Sequence, residues 1–201
     1  MKTISIKQPW SCLICHGVKD IENRTWQTKF RGRVLVHASA KSDSRSHSIN
    51  NIFTPEQWEK MRITGGSNLL WNMIKSNWEL SAIIGSVEIV DCVQNHESIW
   101  AEKSFVDVNK KGDEKVIEIY NWVLANPVLF AEPILNVKGK LSFWEYPMTE
   151  EEYLNRLKIG NPLSNELKNQ VEENNQYWRN GGHNGPTGHG DICYSDADPG
   201  L

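Results

Sequence analysis

The chain has 201 residues, 39% of them hydrophobic, which suffices for one good core, so a single domain of about 150 residues with additions is expected. No stretch approaches the ~18 apolar residues of a membrane span, the first seven residues hold no signal-peptide run, and four cysteines (12, 15, 92, 193) are too scattered for a disulfide framework, which predicts a cytoplasmic protein with no membrane partner. The formal net charge of −3 hides a +6 start over residues 1–41, where eight Lys and Arg face Asp20 and Glu22; this excludes a uniformly basic nucleic-acid track but suits one anionic ligand or a few phosphates.

Residues 3–7 alternate as a strand, and Pro9 opens a helix that runs to about His16 and closes at Gly17 in the left-handed conformation. That helix contains Cys12-Leu13-Ile14-Cys15-His16, the spelling of c-type haem attachment. Haem attachment belongs to an exported, oxidising setting, and nothing here resembles an export signal. The cysteines sit beside Leu13 and Ile14 in a helix between strands, so the expectation is structural thiols, no haem and no cofactor. Residues 21–26 and 33–38 read as strands. Thr54-Pro55-Glu56-Gln57 is a capping box that opens a helix to about Arg62, and residues 68–77 carry a further helical period. Residues 82–93 give the strongest strand signal, with Gly85 marking a bend or close approach. Strands at 117–125, 128–130 and 141–145 follow. Five to seven short strands with inserted helices predict an α+β chain built on a small mixed β-barrel.

Beyond Pro147 the composition changes. Residues 145–201 carry ten acids against four bases, with amphipathic periods at 150–158 and 163–177. The expected organisation is a barrel domain over 1–147, an acidic helical extension over 148–178 suited to a protein partner, and a flexible Gly/Asn/Asp-rich tail over 179–201. His183, His189, Asp191 and Cys193 in that tail are metal-ligating types, but no fold holds them, so no metal site is predicted.

In residues 21–26 the strand period places Glu22, Arg24 and Trp26 on one face, a polar face where a barrel strand is ordinarily apolar. Together with Gly17, Lys19 and the flanking segments IKQPW, RGRVLVHAS, IIGSVEIVDCV and YNWVLANPVLFAEPILNVKGKLSFWEY, they form a G-x-K-x-x-E-x-R signature in an order that resembles the ASCH domain family of the PUA-like group, most closely its small single-domain, EOLA-like members. The resemblance covers about residues 2–147; residues 42–80, 94–116 and 148–201 are additions to it. It implies a barrel with a cleft beside the signature that holds a nucleotide or part of an RNA. Lys19 is then a cation for a phosphate, or a base if desolvated, and Arg24 a fork for phosphate or for Glu22. Trp10 and Trp26 are stacking platforms. Glu88, among Ile84, Ser86 and Val90, is a carboxylate whose pKa rises unless Lys19 or Arg24 compensates it. Tyr120, Asn121, Trp122, Lys138 and Gly139 are weaker pocket candidates.

Three functions follow from this reading. The first is a binding module for RNA or a nucleotide. The second is a hydrolase with Lys19 and Glu88 catalytic, because some relatives are similar to amidohydrolases acting on acetylated cytidine through a Lys, a Thr three residues later and a distant Glu. The position three after Lys19 is Glu22, however, and Thr25 lies on the opposite strand face. A carboxylate-and-water or ribonuclease mechanism stays open. The third is a protein-interaction module acting through the acidic region after residue 148.

Overall fold

A computed structural model describes residues 1–43, 52–63, 79–108 and 112–158. The elements are β1 (Lys2–Ile6), α1 (Trp10–Cys15), β2 (Ile21–Arg24), β3 (Gly32–Ala38), α2 (Pro55–Ile63), β4 (Ala82–Val93), β5 (Phe105–Val108), β6 (Glu114–Ile117), β7 (Tyr120–Ile134), β8 (Phe143–Glu145) and α3 (Glu150–Lys158). Six strands form one sheet in the order β2-β7-β4-β3-β1-β8, and β5 pairs with β6 as a separate hairpin. Every pairing in the large sheet is antiparallel except β1 with β3.

The sheet is curled into a half-barrel, as two contacts across it require. β7 and β8 stand four strand spacings apart in the order, about 19 Å if the sheet were flat, yet the rings of Trp122 and Phe143 stack with centroids 5.1 Å apart. β2 and β1 are equally distant in order, yet Arg24 Nη2 donates to the Ser5 carbonyl at 2.8 Å. Inside the curl lie Ile4, Ile6, Val34, Val36, Ile89 and Trp122, all nearly solvent-free. Their neighbours on the other face of β3 and β4, Leu35 and Ile83, pack with Phe130, Met148 and Tyr153, so α3 closes the outer side of the sheet. The period-2 pattern of the sequence is therefore used on both faces.

Local expectations hold where one residue type decides them. Gly17 adopts φ +75°, and the amides of Val18 and Lys19 turn back onto the Leu13 carbonyl. The Thr54 capping box forms, with Gln57 N–H donating to Thr54 Oγ1 and Thr54 N–H to Gln57 Oε1. A second box, Thr149 with Glu152, starts α3 and was legible in the same way. Pro9 sits one position earlier than expected, at the N-cap. Cys12, Cys15 and Cys92 are buried, and burial pushes the Cys12 thiol up to about 12, which fits inert packing thiols.

The strands expected at 117–125 and 128–130 are one strand, β7. Asn126 at φ +49° and Pro127, which has no N–H for the ladder, form an irregularity that the pairing absorbs, so that Ser86 faces Val128 while Glu88 faces Ala125. The β5–β6 hairpin was not expected, because its apolar residues face solvent and give no burial alternation. The helical periods at 68–77 and 163–177, and the tail with His183, His189, Asp191 and Cys193, lie outside the described residues.

Gly85 explains the tight centre of the sheet. A Cβ there would lie 2.1 Å from the Val128 carbonyl oxygen and 2.8 Å from Cys15 Sγ. Gly85→Ala is expected to lower stability by about 3 kcal/mol, measured by urea denaturation; a change under about 1 kcal/mol would contradict this close packing.

Candidate functional site

The sequence of the first loop and strand builds one wall of a cavity of about 430 Å³. α1 presents Trp10, the turn after Gly17 presents Lys19, and β2 presents Glu22 and Asn23. The other walls come from the segments that the signature does not cover: Asp43 and α2's capping residues on one side, and Trp100 to Glu102 on the other. Buried amides hold that second wall. Asn23 Nδ2 donates to the Trp100 carbonyl at 2.8 Å, Asn121 Nδ2 to the Glu102 carbonyl at 3.0 Å, and the Glu102 N–H to Asn23 Oδ1 at 3.1 Å. Asn121, a weaker pocket candidate of the sequence, serves the cavity from behind its wall, whereas Asn23 carries no such signal, because its partners are backbone groups far along the chain.

Lys19 and Glu22 are 5% and 8% exposed, so the charged groups do face inward. Lys19 Nζ donates to the Ile21 carbonyl and lies 3.9 Å from Glu22 Oε2, while Arg24 Nη2 pairs with Glu22 Oε1 at 2.9 Å. Burial lowers the Lys19 pKa; Glu22, Glu102 and Asp20 oppose that shift and Arg24 reinforces it. Trp10 is held edge-on by Phe53 and Trp100, its Nε1 donates to Asp43 Oδ2 at 3.1 Å, and the Lys19 ammonium lies 5.8 Å from its ring centre. The cavity is thus an aromatic and carboxylate-lined hollow. Its one ammonium is already engaged by protein groups.

Trp26 and Glu88 are placed elsewhere. β2 ends at Arg24, and Trp26 packs edge-to-face on Trp122 and Phe143 at the barrel interior. Glu88 is compensated by Arg33, at 3.6 Å, and by the Asn126 amide, not by Lys19 or Arg24. It does not line the Lys19 cavity, so the structure does not bring Lys19 and Glu88 together. Tyr120 bonds Glu118, and Trp122 belongs to the core.

The basic start of the chain is also largely spoken for. Lys2, Lys19, Arg24, Arg31 and Arg33 pair with Glu145, Glu22, Glu22, Asp91 and Glu88; Glu22 is already counted in the +6, so the three acids from outside the segment cancel half of the patch read from local charge.

Lys138 and Gly139 line a second cavity, of about 600 Å³, with Ser5, His37 and Lys140. His37 is 1% exposed; its Nε2 meets the Val137 carbonyl at 2.9 Å and its Nδ1 meets Ser5 Oγ at 3.1 Å. A carbonyl only accepts, so Nε2 carries the proton. Burial holds the imidazole below its usual 6.5.

A family model described as ASCH domain matches residues 4–134. The chain is 24% identical over 144 residues to activating signal cointegrator 1 of Homo sapiens and 23% identical to its Mus musculus counterpart, which covers 71% of this chain in each case. The chain spans about a fifth of the length of these relatives, 22% of each.

Arg24→Met removes the bond to β1 and leaves the Glu22 carboxylate only the longer contact to Lys19; a loss of about 3 kcal/mol is expected in urea denaturation, against under about 1 kcal/mol for the exposed Lys2→Met. Equal losses would contradict the bridging role. Because the His37 pKa is lowered, the unfolded chain binds more protons below about pH 6.5, so stability falls as pH drops from 7 towards 5. His16, lowered by burial as well, acts in the same direction. His37→Asn should reduce the fall in melting temperature; an imidazole titrating above 6.5 by NMR would reverse the sign.

Proposed function

This chain belongs to the ASCH domain family, and from that membership we propose that it is an RNA- or nucleotide-binding module that takes a base into the cavity between Trp10 and Trp100. The observation that carries the reading is the pairing of a fixed indole with the Lys19–Glu22 pair in one hollow of about 430 Å³, a volume ordinary for small-ligand sites. Trp10 is braced by two other rings before any ligand arrives, so stacking a base on it costs little ordering. The Lys19 ammonium is engaged by Glu22 and the Ile21 carbonyl, and the Glu102 carboxylate lines the same hollow, which favours a base edge carrying N–H donors over a phosphate. Lys19 and Arg24 act in this reading as the groups that orient Glu22. Catalysis is not part of the reading, because Glu88 lies outside the cavity.

Calorimetric titration with the four ribonucleosides tests it. At least one is expected to bind, 5′-phosphorylation should not tighten binding at this cavity, and Trp10→Leu should weaken it about tenfold with its melting temperature followed in parallel. Absence of nucleoside binding, or equal affinity in the variant, would remove the reading.

A further inference from the structure

We propose that the second cavity, beside Lys138-Gly139-Lys140, is a phosphodiester site, so that one single strand of nucleic acid runs with a base in the Trp10 cavity and its backbone over these lysines. The inference rests on the base-binding reading and adds to it the class of ligand, a polymer strand and not a free nucleoside.

Charge separates the two hollows. The first contains carboxylates and an engaged ammonium; among the described residues the second is lined by no acid and its two lysines form no ion pair. Lys140 Nζ lies 5.9 Å from the Trp144 ring centre and Lys138 is exposed, so both ammonium groups remain available to an anion. These are cations of the kind that the first cavity lacks for a phosphate.

The loop that carries them is held in place and not left to sample solvent. His37 bonds the Val137 carbonyl, Ser5 Oγ donates to the Lys140 carbonyl at 3.0 Å, and the Val137 N–H donates to the Ser81 carbonyl at 2.7 Å. Gly139 lies against the imidazole so closely that a Cβ would sit 2.4 Å from His37 Cε1. Asn136 and Ser142, at either end of the loop, and Ser81 opposite it are left-handed, with φ of 58°, 59° and 51°. Serine gains little in that region, and such costs gather where a backbone must present a ligand site. Buried bonds and strained corners here hold up two lysines that make no ion pair in the described structure.

Chain connectivity sets the spacing. Ser39 and Ala40 line the second cavity and Asp43 the first, and three residues reach at most about 11 Å. The hollows are thus close enough for one extended strand to occupy both.

The test is fluorescence anisotropy with a labelled 12-nucleotide single-stranded RNA of mixed sequence, and the matching DNA, titrated with the full chain between 50 and 200 mM KCl. Lys138→Gln/Lys140→Gln should weaken oligonucleotide binding about tenfold at the lowest salt and reduce the slope of log K against log salt by about 1.4, or 0.7 per phosphate contact. It should leave nucleoside affinity unchanged. The same loss with RNA and DNA, or with RNA alone, supports the site; the two results distinguish a contact to phosphate from one that also uses the 2′-hydroxyl. An unchanged slope and affinity, or a wild-type chain that binds nucleosides but no oligonucleotide, overturns it. Loss of nucleoside binding in wild type, with the lysine-dependent slope intact, would instead overturn the base-cavity reading.

Discussion

The guanidinium of Arg24 reaches from one edge of the sheet to the far side of the curl, and the rest of the molecule is arranged around that reach. One nitrogen, Nη2, serves both the Ser5 carbonyl on β1 and the Glu22 carboxylate on β2. Closing the sheet and orienting the acid of the cavity are therefore the same interaction. The face of Trp122 lies 5.9 Å from the guanidinium carbon, so the charge is also packed against the aromatic core. A lysine in this position offers a single point charge and no planar fork to meet two acceptors in fixed directions. The contacts that the signature's arginine makes through Nη2 are thus architectural, while its buried Nε is left without a hydrogen-bond partner among the described residues.

Lys19 follows from the same arrangement. Gly17 turns the chain so that the ammonium is buried beside Glu22, where burial alone would favour the neutral amine. Glu22, Glu102 and Asp20 oppose that shift, and Arg24, which shares Glu22 with Lys19, reinforces it. Lys19, Glu22 and Arg24 are thus paired with one another within the wall of this hollow. Free positive charge appears on the other side of the 39–43 segment, on a loop braced by His37 and Ser5.

The segments that the family signature leaves out complete the cavity. Trp100 and Glu102 lie within 94–116, and Asp43 and Thr54 lie within 42–80. Asn23 and Asn121, adjacent partners across β2 and β7, clasp the 96–102 loop by its backbone. The depth of the hollow comes from these segments, whereas its floor is built by the residues of the signature.

By itself the sequence determined whatever a few neighbouring residues decide: the strands at 82–93 and 33–38, the left-handed Gly17, the Thr54 capping box, the close approach at Gly85, the family, and the inward-facing Lys19 and Glu22 of its signature. Only the tertiary structure decided which charges meet. Arg33 with Glu88, Arg31 with Asp91 and Lys2 with Glu145 join residues 55 or more positions apart, so half of the net positive charge legible in the first 41 residues is cancelled on folding. Trp26 was displaced from the cavity because β2 ends two residues before it, and the curl then carries its indole into the core. Periodicity along a strand reports which face a side chain leaves by. It carries no information about the distant segment that the face will meet, because that depends on how the whole sheet closes.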